Sequence, residues 1–116
     1  MIGCNMVDSA LEKQAESANK MCPMQVDEIT TLERVEYVNK VFSYYYVLEP
    51  SETADYIMNE ISDDVLKSSI LTSFREKGTS ELREFKDLCE SAECVIVFHY
   101  KLEDKQKDIT ISAYEL

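Results

Sequence analysis

Apolar residues recur at steps of three and four near the start of the chain. Val7, Leu11, Ala15, Ala18 and Cys22 share one stripe, with Glu12, Lys13, Glu16 and Lys20 off it. That spacing predicts an amphipathic helix over about Met6 to Met21. Pro23 stops it, because proline has no amide hydrogen and biases its predecessor away from α geometry. The period then drops to two. Thr31 to Val38, rich in β-branched and aromatic residues, predicts a strand, and Asn39-Lys40 a tight turn. Val41 to Leu48 follows, with Phe42, Tyr44, Tyr46 and Leu48 on one face and Val41, Ser43, Tyr45 and Val47 on the other. Both faces are largely apolar, which predicts a central strand.

Helical spacing returns after Pro50, with Ser51 as N-cap. Ala54, Ile57, Met58 and Ile61 form one stripe; Val65, Leu66, Ile70, Leu71 and Phe74 form another. Ser62-Asp63-Asp64 fits a second start, so this stretch reads as one kinked helix or two short ones. Gly78 is a C-terminal stop. Thr79 or Ser80 caps a further helix carrying Leu82, Phe85, Leu88, Cys89 and Ala92. Alternation resumes at Cys94, Ile96, Phe98, Tyr100 and Leu102, then a charged turn over Glu103 to Lys107, then Ile109, Ile111 and Ala113. The order α-β-β-α-α-β-β predicts an α+β fold: an antiparallel sheet of about four strands in two hairpins, with helices on one face. Residues 1–116 read as one domain, with 1–5 as a flexible N-terminal tail.

Composition narrows the function. The 116 residues are 45% hydrophobic and 30% charged, with 2 Gly and 2 Pro, which suits a folded domain and excludes low-complexity chains. Lys and Arg number 12 against 23 Asp and Glu, a net charge of −11, which argues against nucleic acid as a partner. No apolar run is long enough to predict a membrane-spanning helix.

Candidate chemistry is sparse. The spacing Cys89-x4-Cys94 is not that of a zinc knuckle, and Asp63-Asp64 reads as a helix cap, so neither a metal nor another cofactor is expected. His99 is the single histidine, and five positions along a strand from Cys94 it falls on the opposite face, which disfavours a Cys-His pair. No glycine-rich phosphate loop or hydrolase motif occurs. The expectation is a protein without catalytic residues. Asp27 and Thr30 read first as local hydrogen-bonding residues at a turn into a strand, and second, with Glu28, as lining of a binding groove. Phe42, Tyr44, Tyr45 and Tyr46 read as core plus one exposed sheet face, or as a surface that stacks a sugar or a peptide. Two readings of the thiols stay open: one bridge, Cys22 to Cys89 or Cys89 to Cys94, in an oxidising compartment, or free core cysteines in a reducing one.

The stretch Asn19-Lys20-Met21-Cys22-Pro23-Met24-Gln25-Val26-Asp27-Glu28-Ile29-Thr30-Thr31-Leu32 resembles the segment Asn-x-x-(Cys or Leu)-Pro-x-x-Val-Asp-x-x-Thr-x-Leu of a family of small uncharacterised bacterial domains of Bacteroides type, often lipoprotein-like. The aromatic strand and the closing hairpin are similar to that family's as well. Ile2-Gly3-Cys4 likewise resembles the end of a bacterial lipoprotein signal, in which the cysteine receives lipid. The resemblance implies an exported domain at the cell envelope or in the periplasm, lipid-anchored at Cys4, and brings no catalytic residues. Read from the residues themselves, the expected ligand is an unknown protein, peptide or glycan met by Asp27, Thr30, Tyr44, Tyr45 and Tyr46. The alternative is a cytoplasmic acidic protein, a secretion chaperone or an immunity-type inhibitor of a basic partner, with Met1 as the natural start and Cys4 a plain thiol.

Overall fold

The strands of the sheet lie side by side in their chain order, β1 (Met24–Gln25), β2 (Thr30–Val38), β3 (Val41–Leu48), β4 (Val95–Leu102) and β5 (Lys105–Ser112). The computed structural model describes residues 2–116, with side chains from residue 6 onward except those of 77 and 81. Cys4, the expected lipid site, therefore has its side chain outside the described residues. The helices are α1 (Ile2–Lys20), α2 (Glu52–Asn59), α3 (Asp63–Lys77) and α4 (Ser80–Ala92), and a 3-10 turn covers Ala113–Glu115.

Both expected hairpins form. Asn39 and Lys40 have φ of 52° and 67°, the left-handed pair that a two-residue hairpin turn requires. The sheet is nonetheless mixed rather than antiparallel, because β3 and β4 run parallel. Alternation identifies strands but not their mutual direction. Three helices lie between β3 and β4, and a parallel pair needs a long crossover of this kind to bring the chain back to the same end of the sheet. The fifth strand, β1, is two residues long and pairs with Leu32 and Thr31, too short for any period to reveal. Helix α1 begins at Ile2, four residues ahead of the expected Met6.

Local chemistry sets the helix ends. The side chains of Ser51, Ser62 and Thr79 accept from the amides of Ala54, Val65 and Leu82, so the stretch after Pro50 is two separate helices, each with its own cap. Gly78 closes α3 at φ 47°, a conformation glycine takes without strain. The side chain of Asn19, in the last turn of α1, accepts from the Val35 amide at 3.1 Å, covering part of the β2 edge. Asp8 ties α1 to the first hairpin through Lys40 at 2.8 Å and through the Tyr37 hydroxyl.

The main core lies between the sheet and α1 and α4, where Leu11, Ala15, Phe85 and Cys89 meet Val35, Phe42, Ile96, Phe98 and Ile111. A smaller cluster joins Leu48, Ala54 and Leu102 under α2. Helix α3 differs from its neighbours. Leu66, Ile70, Leu71 and Phe74 turn inward, yet among the described residues of α3 no side chain is fully buried.

Candidate functional site

The incomplete burial of α3 leaves a groove of about 470 Å³ between that helix and the sheet. Its floor is an aromatic block on the helix-side face of β3 and β4. Parallel register sets Tyr44 opposite Phe98 and Tyr46 opposite Tyr100. The rings stack as pairs, with centroids 5.1 Å apart in each and planes 9° and 14° from parallel. Leu66, Ser69, Ile70, Ser73 and Phe74 of α3 form one wall, and Ile57 of α2 and Leu82 of α4 close the ends. Val26 and Asp27, from the turn between β1 and β2, and Thr30, the first residue of β2, form the opposite rim.

Ring faces in this block lie against other rings, so the groove meets ring edges and hydroxyls. Among the described residues no protein group is hydrogen-bonded to the hydroxyls of Tyr44, Tyr46 or Tyr100, and none of these oxygens is sealed from solvent. Burial holds the Tyr44 and Tyr46 phenols well above the usual range. Burial, helped by the charge of Asp27, pushes Tyr100 up to about 12. The floor is therefore neutral at any physiological pH and offers three hydroxyls that can donate and accept. Flat sugar rings bind to exposed aromatic faces. This floor instead suits apolar side chains lying between the walls, with hydroxyls reaching backbone or polar groups.

Asp27 stands at the rim with its carboxylate already engaged. Its Oδ1 accepts from the amides of Ile29 at 2.9 Å and Thr30 at 2.8 Å, the turn role expected from the sequence. Thr30 is buried and its carbonyl accepts from Val26 at 3.0 Å. Asp27, Thr30, Tyr44 and Tyr46 are thus brought together.

Tyr45 is not. The period of two places it on the other, helix-free face of the sheet. There it stacks on His99, lies under the Arg34 guanidinium at 3.9 Å, and donates to Glu36 at 3.2 Å. The sequence reading missed the α3 wall and Phe98 and Tyr100. The α3 stripe is visible as periodicity, which does not tell how deeply it is buried. Alternation puts Phe98 and Tyr100 on one face of their strand, but no local pattern shows the parallel pairing that sets them beside Tyr44 and Tyr46. Among the described residues no group of three His, Cys, Asp or Glu side chains is placed to hold a metal ion, and no helix is long and apolar enough to cross a membrane.

Solved structures share this architecture. A Pseudomonas aeruginosa protein named as a "putative secreted protein" matches with a TM-score of 0.74 at 10% identity, over 99% of this chain and 96% of its own. The type II secretion system pilotin of Vibrio vulnificus matches with a TM-score of 0.68 at 10% identity, over 96% of this chain and 92% of its own. The type II secretion system pilotin of Vibrio cholerae gives 0.65 at 12% identity, over 97% and 94%. At such identities the likeness establishes a common fold. No curated protein matches by sequence. A family model, by contrast, matches residues 5–111, almost the whole length, and the chain belongs to that family, the domain of unknown function DUF8479.

Proposed function

We propose that this chain is a non-catalytic binding protein of the bacterial cell envelope, lipid-anchored through Cys4, which holds a short segment of a protein partner in the groove beneath α3. The observation that carries this reading is the half-buried apolar stripe of α3, Leu66, Ile70 and Phe74, held over a neutral tyrosine floor. A helix whose apolar face is only half covered by the core leaves surface that an incoming apolar segment can cover. The hydroxyls of Tyr44, Tyr46 and Tyr100 would then supply hydrogen bonds along it. The groove holds no pair of titrating groups suited to acid–base work, and Asp27 is committed to its turn. The shared fold with type II secretion pilotins and a secreted-type protein favours an envelope setting and a protein, rather than a glycan, as partner. A net charge of −11 favours basic residues flanking the bound segment.

Site-specific photocrosslinking in the native host tests this. A photoreactive residue at Ser69 lines the groove, and one at Gln106 lies on the opposite face of the sheet. The expected result is a discrete protein adduct from position 69, absent from position 106 and lost when Ile70 is changed to Asp. Adducts from position 106 alone would move the site to the open face. Intact mass of the envelope fraction checks the anchor: a mature chain starting at Cys4 with acyl mass supports it. A soluble, unmodified chain starting at Met1 would favour instead the cytosolic acidic inhibitor that the charge also fits.

A further inference from the structure

Two buried thiols lie in the core outside the lining of the groove. Cys89 is in the last turn of α4, and Cys94 immediately precedes β4; they are 0% and 2% exposed. The helix stops through Glu93, which takes a left-handed φ of 56°. The Glu93 amide donates to the Glu90 carbonyl and the Cys94 amide to the Cys89 carbonyl, each at 3.1 Å. This two-bond stop brings the side chain three positions before the cap against the one two positions beyond the helix, a contact that apolar residues normally fill. Here both are cysteines, and each acts on the other's acidity: the Cys94 thiol is held below its ordinary range by its interaction with the Cys89 thiol, with burial opposing and the Lys40 ammonium assisting, and the Cys89 thiol is pushed up. Cys22 is arranged differently: its thiol donates to the Ala18 carbonyl at 3.3 Å.

We propose that Cys89 and Cys94 form a redox-active dithiol that closes to an intramolecular disulfide and clamps the end of α4 to the start of β4. The oxidant is a small-molecule disulfide or a protein disulfide. The Cys94 thiolate attacks one of its sulfurs, forming a mixed disulfide and expelling the first thiolate. Cys89, as it loses its proton, attacks the Cys94 sulfur and expels the second. Two electrons and two protons leave the protein, and one oxidant disulfide becomes two thiols. The backbone bond from the Cys94 amide to the Cys89 carbonyl holds the two residues side by side at the helix stop, which favours the second step over capture by another thiol. Because both sulfurs are buried, exchange proceeds through local opening of the α4–β4 junction and is slow. None of this depends on what the groove binds.

Thiol mapping on the folded full-length chain tests the proposal. The reduced protein is equilibrated with oxidised glutathione, denatured in acid, alkylated and digested with trypsin. Asp87 to Lys101 is a single tryptic peptide that contains both residues. The expected product is this peptide lighter by two hydrogens and unalkylated, with Cys22 alkylated. The same oxidation in denaturant should scramble the pairing. Cys94→Ala should abolish the internal link while the Cys22 result stays the same, and Cys22→Ala should leave closure intact. Stable glutathione adducts on Cys89 or Cys94, bridges from either to Cys4, Cys22 or a second copy, or two alkylated thiols after oxidation would each overturn the proposal.

Discussion

Tyr45 and His99 lie face to face across the parallel β3–β4 pair, with ring centroids 4.5 Å apart and planes 9° from parallel. They are the middle of a row that crosses four strands at one register: Arg34 over Tyr45, Tyr45 on His99, and His99 Nδ1 at 2.7 Å from Asp108 Oδ1. The open face of the sheet is thereby ordered without a covering helix, by cation–π contact, stacking and hydrogen bonds.

The Asp108 end of that row makes acid stability predictable. Burial disfavours the charged carboxylate, but hydrogen bonds from Gln106 and His99 overcome this and hold Asp108 below the usual carboxylate range. The folded chain thus binds fewer protons there than the unfolded chain. Its stabilisation is present above the unfolded value of about 3.9 and is lost as pH falls through the lower folded value. The side chain is 49% exposed, so solvent screening limits the effect to about 0.2–1 kcal/mol. Urea titrations should show Asp108→Asn less stable than the parent by that amount at neutral pH, with the gap closing near pH 2. A gap that widens in acid would mean the pair is not stabilising.

Core and groove should respond differently to truncation. Phe42 is 2% exposed and meets Phe85 edge-on at 4.9 Å. Phe42→Ala should cost about 3–5 kcal/mol, from lost transfer energy plus the cavity. Ile70, equally apolar but only half-buried on α3, should cost about 1 kcal/mol or less as Ile70→Ala. Comparable losses at the two positions, by chemical denaturation, would show that α3 closes on the sheet in solution.

This contrast marks where sequence stops informing. Ser51, Ser62, Thr79 and Gly78 carry their own conformational preferences, so helix ends were legible residue by residue. The alternation in β3 and β4 also separated Tyr45 from Tyr44 and Tyr46, although all three were grouped as one candidate surface. Periodicity assigns a face but not a depth, and so the stripe of Leu66, Ile70 and Phe74 gave no sign that it stays half-buried. Strand direction depends on the path of α2, α3 and α4, which no local pattern encodes. Without the parallel β3–β4 pairing, Phe98 and Tyr100 could not be set beside Tyr44 and Tyr46, and the groove floor was only half visible.

Lys107 shows a cation placed by tertiary structure. Its side chain, 10% exposed on the helix-side face of β5, donates to the carbonyls of Ile57 at 3.2 Å and of Ile61, and lies 3.4 Å from Asp63. It satisfies carbonyls that the end of α2 leaves unpaired, where a positive charge also complements the helix dipole. Lys107→Met keeps the aliphatic stem and removes the donor. It should cost about 1–3 kcal/mol and speed amide exchange in α2 while leaving α1 protected. Uniform loss of protection would indicate that Lys107 supports the whole fold rather than this helix end.

The groove hydroxyls offer the sharpest separation of stability from binding. Those of Tyr44 and Tyr46 have no protein hydrogen-bond partner among the described residues, whereas the Tyr37 hydroxyl is bonded to Asp8. Removing an unpartnered hydroxyl sacrifices no native bond and eases desolvation, so Tyr44→Phe with Tyr46→Phe should change unfolding free energy by less than about 0.5 kcal/mol or raise it slightly. Tyr37→Phe should cost about 1 kcal/mol or more, because it leaves the Asp8 carboxylate one donor short. Denaturant melts of the three proteins provide the comparison. If the double variant is as damaged as Tyr37→Phe, the hydroxyls are committed to the fold. If it is as stable as the parent yet loses the photocrosslink from position 69, they belong to the bound segment.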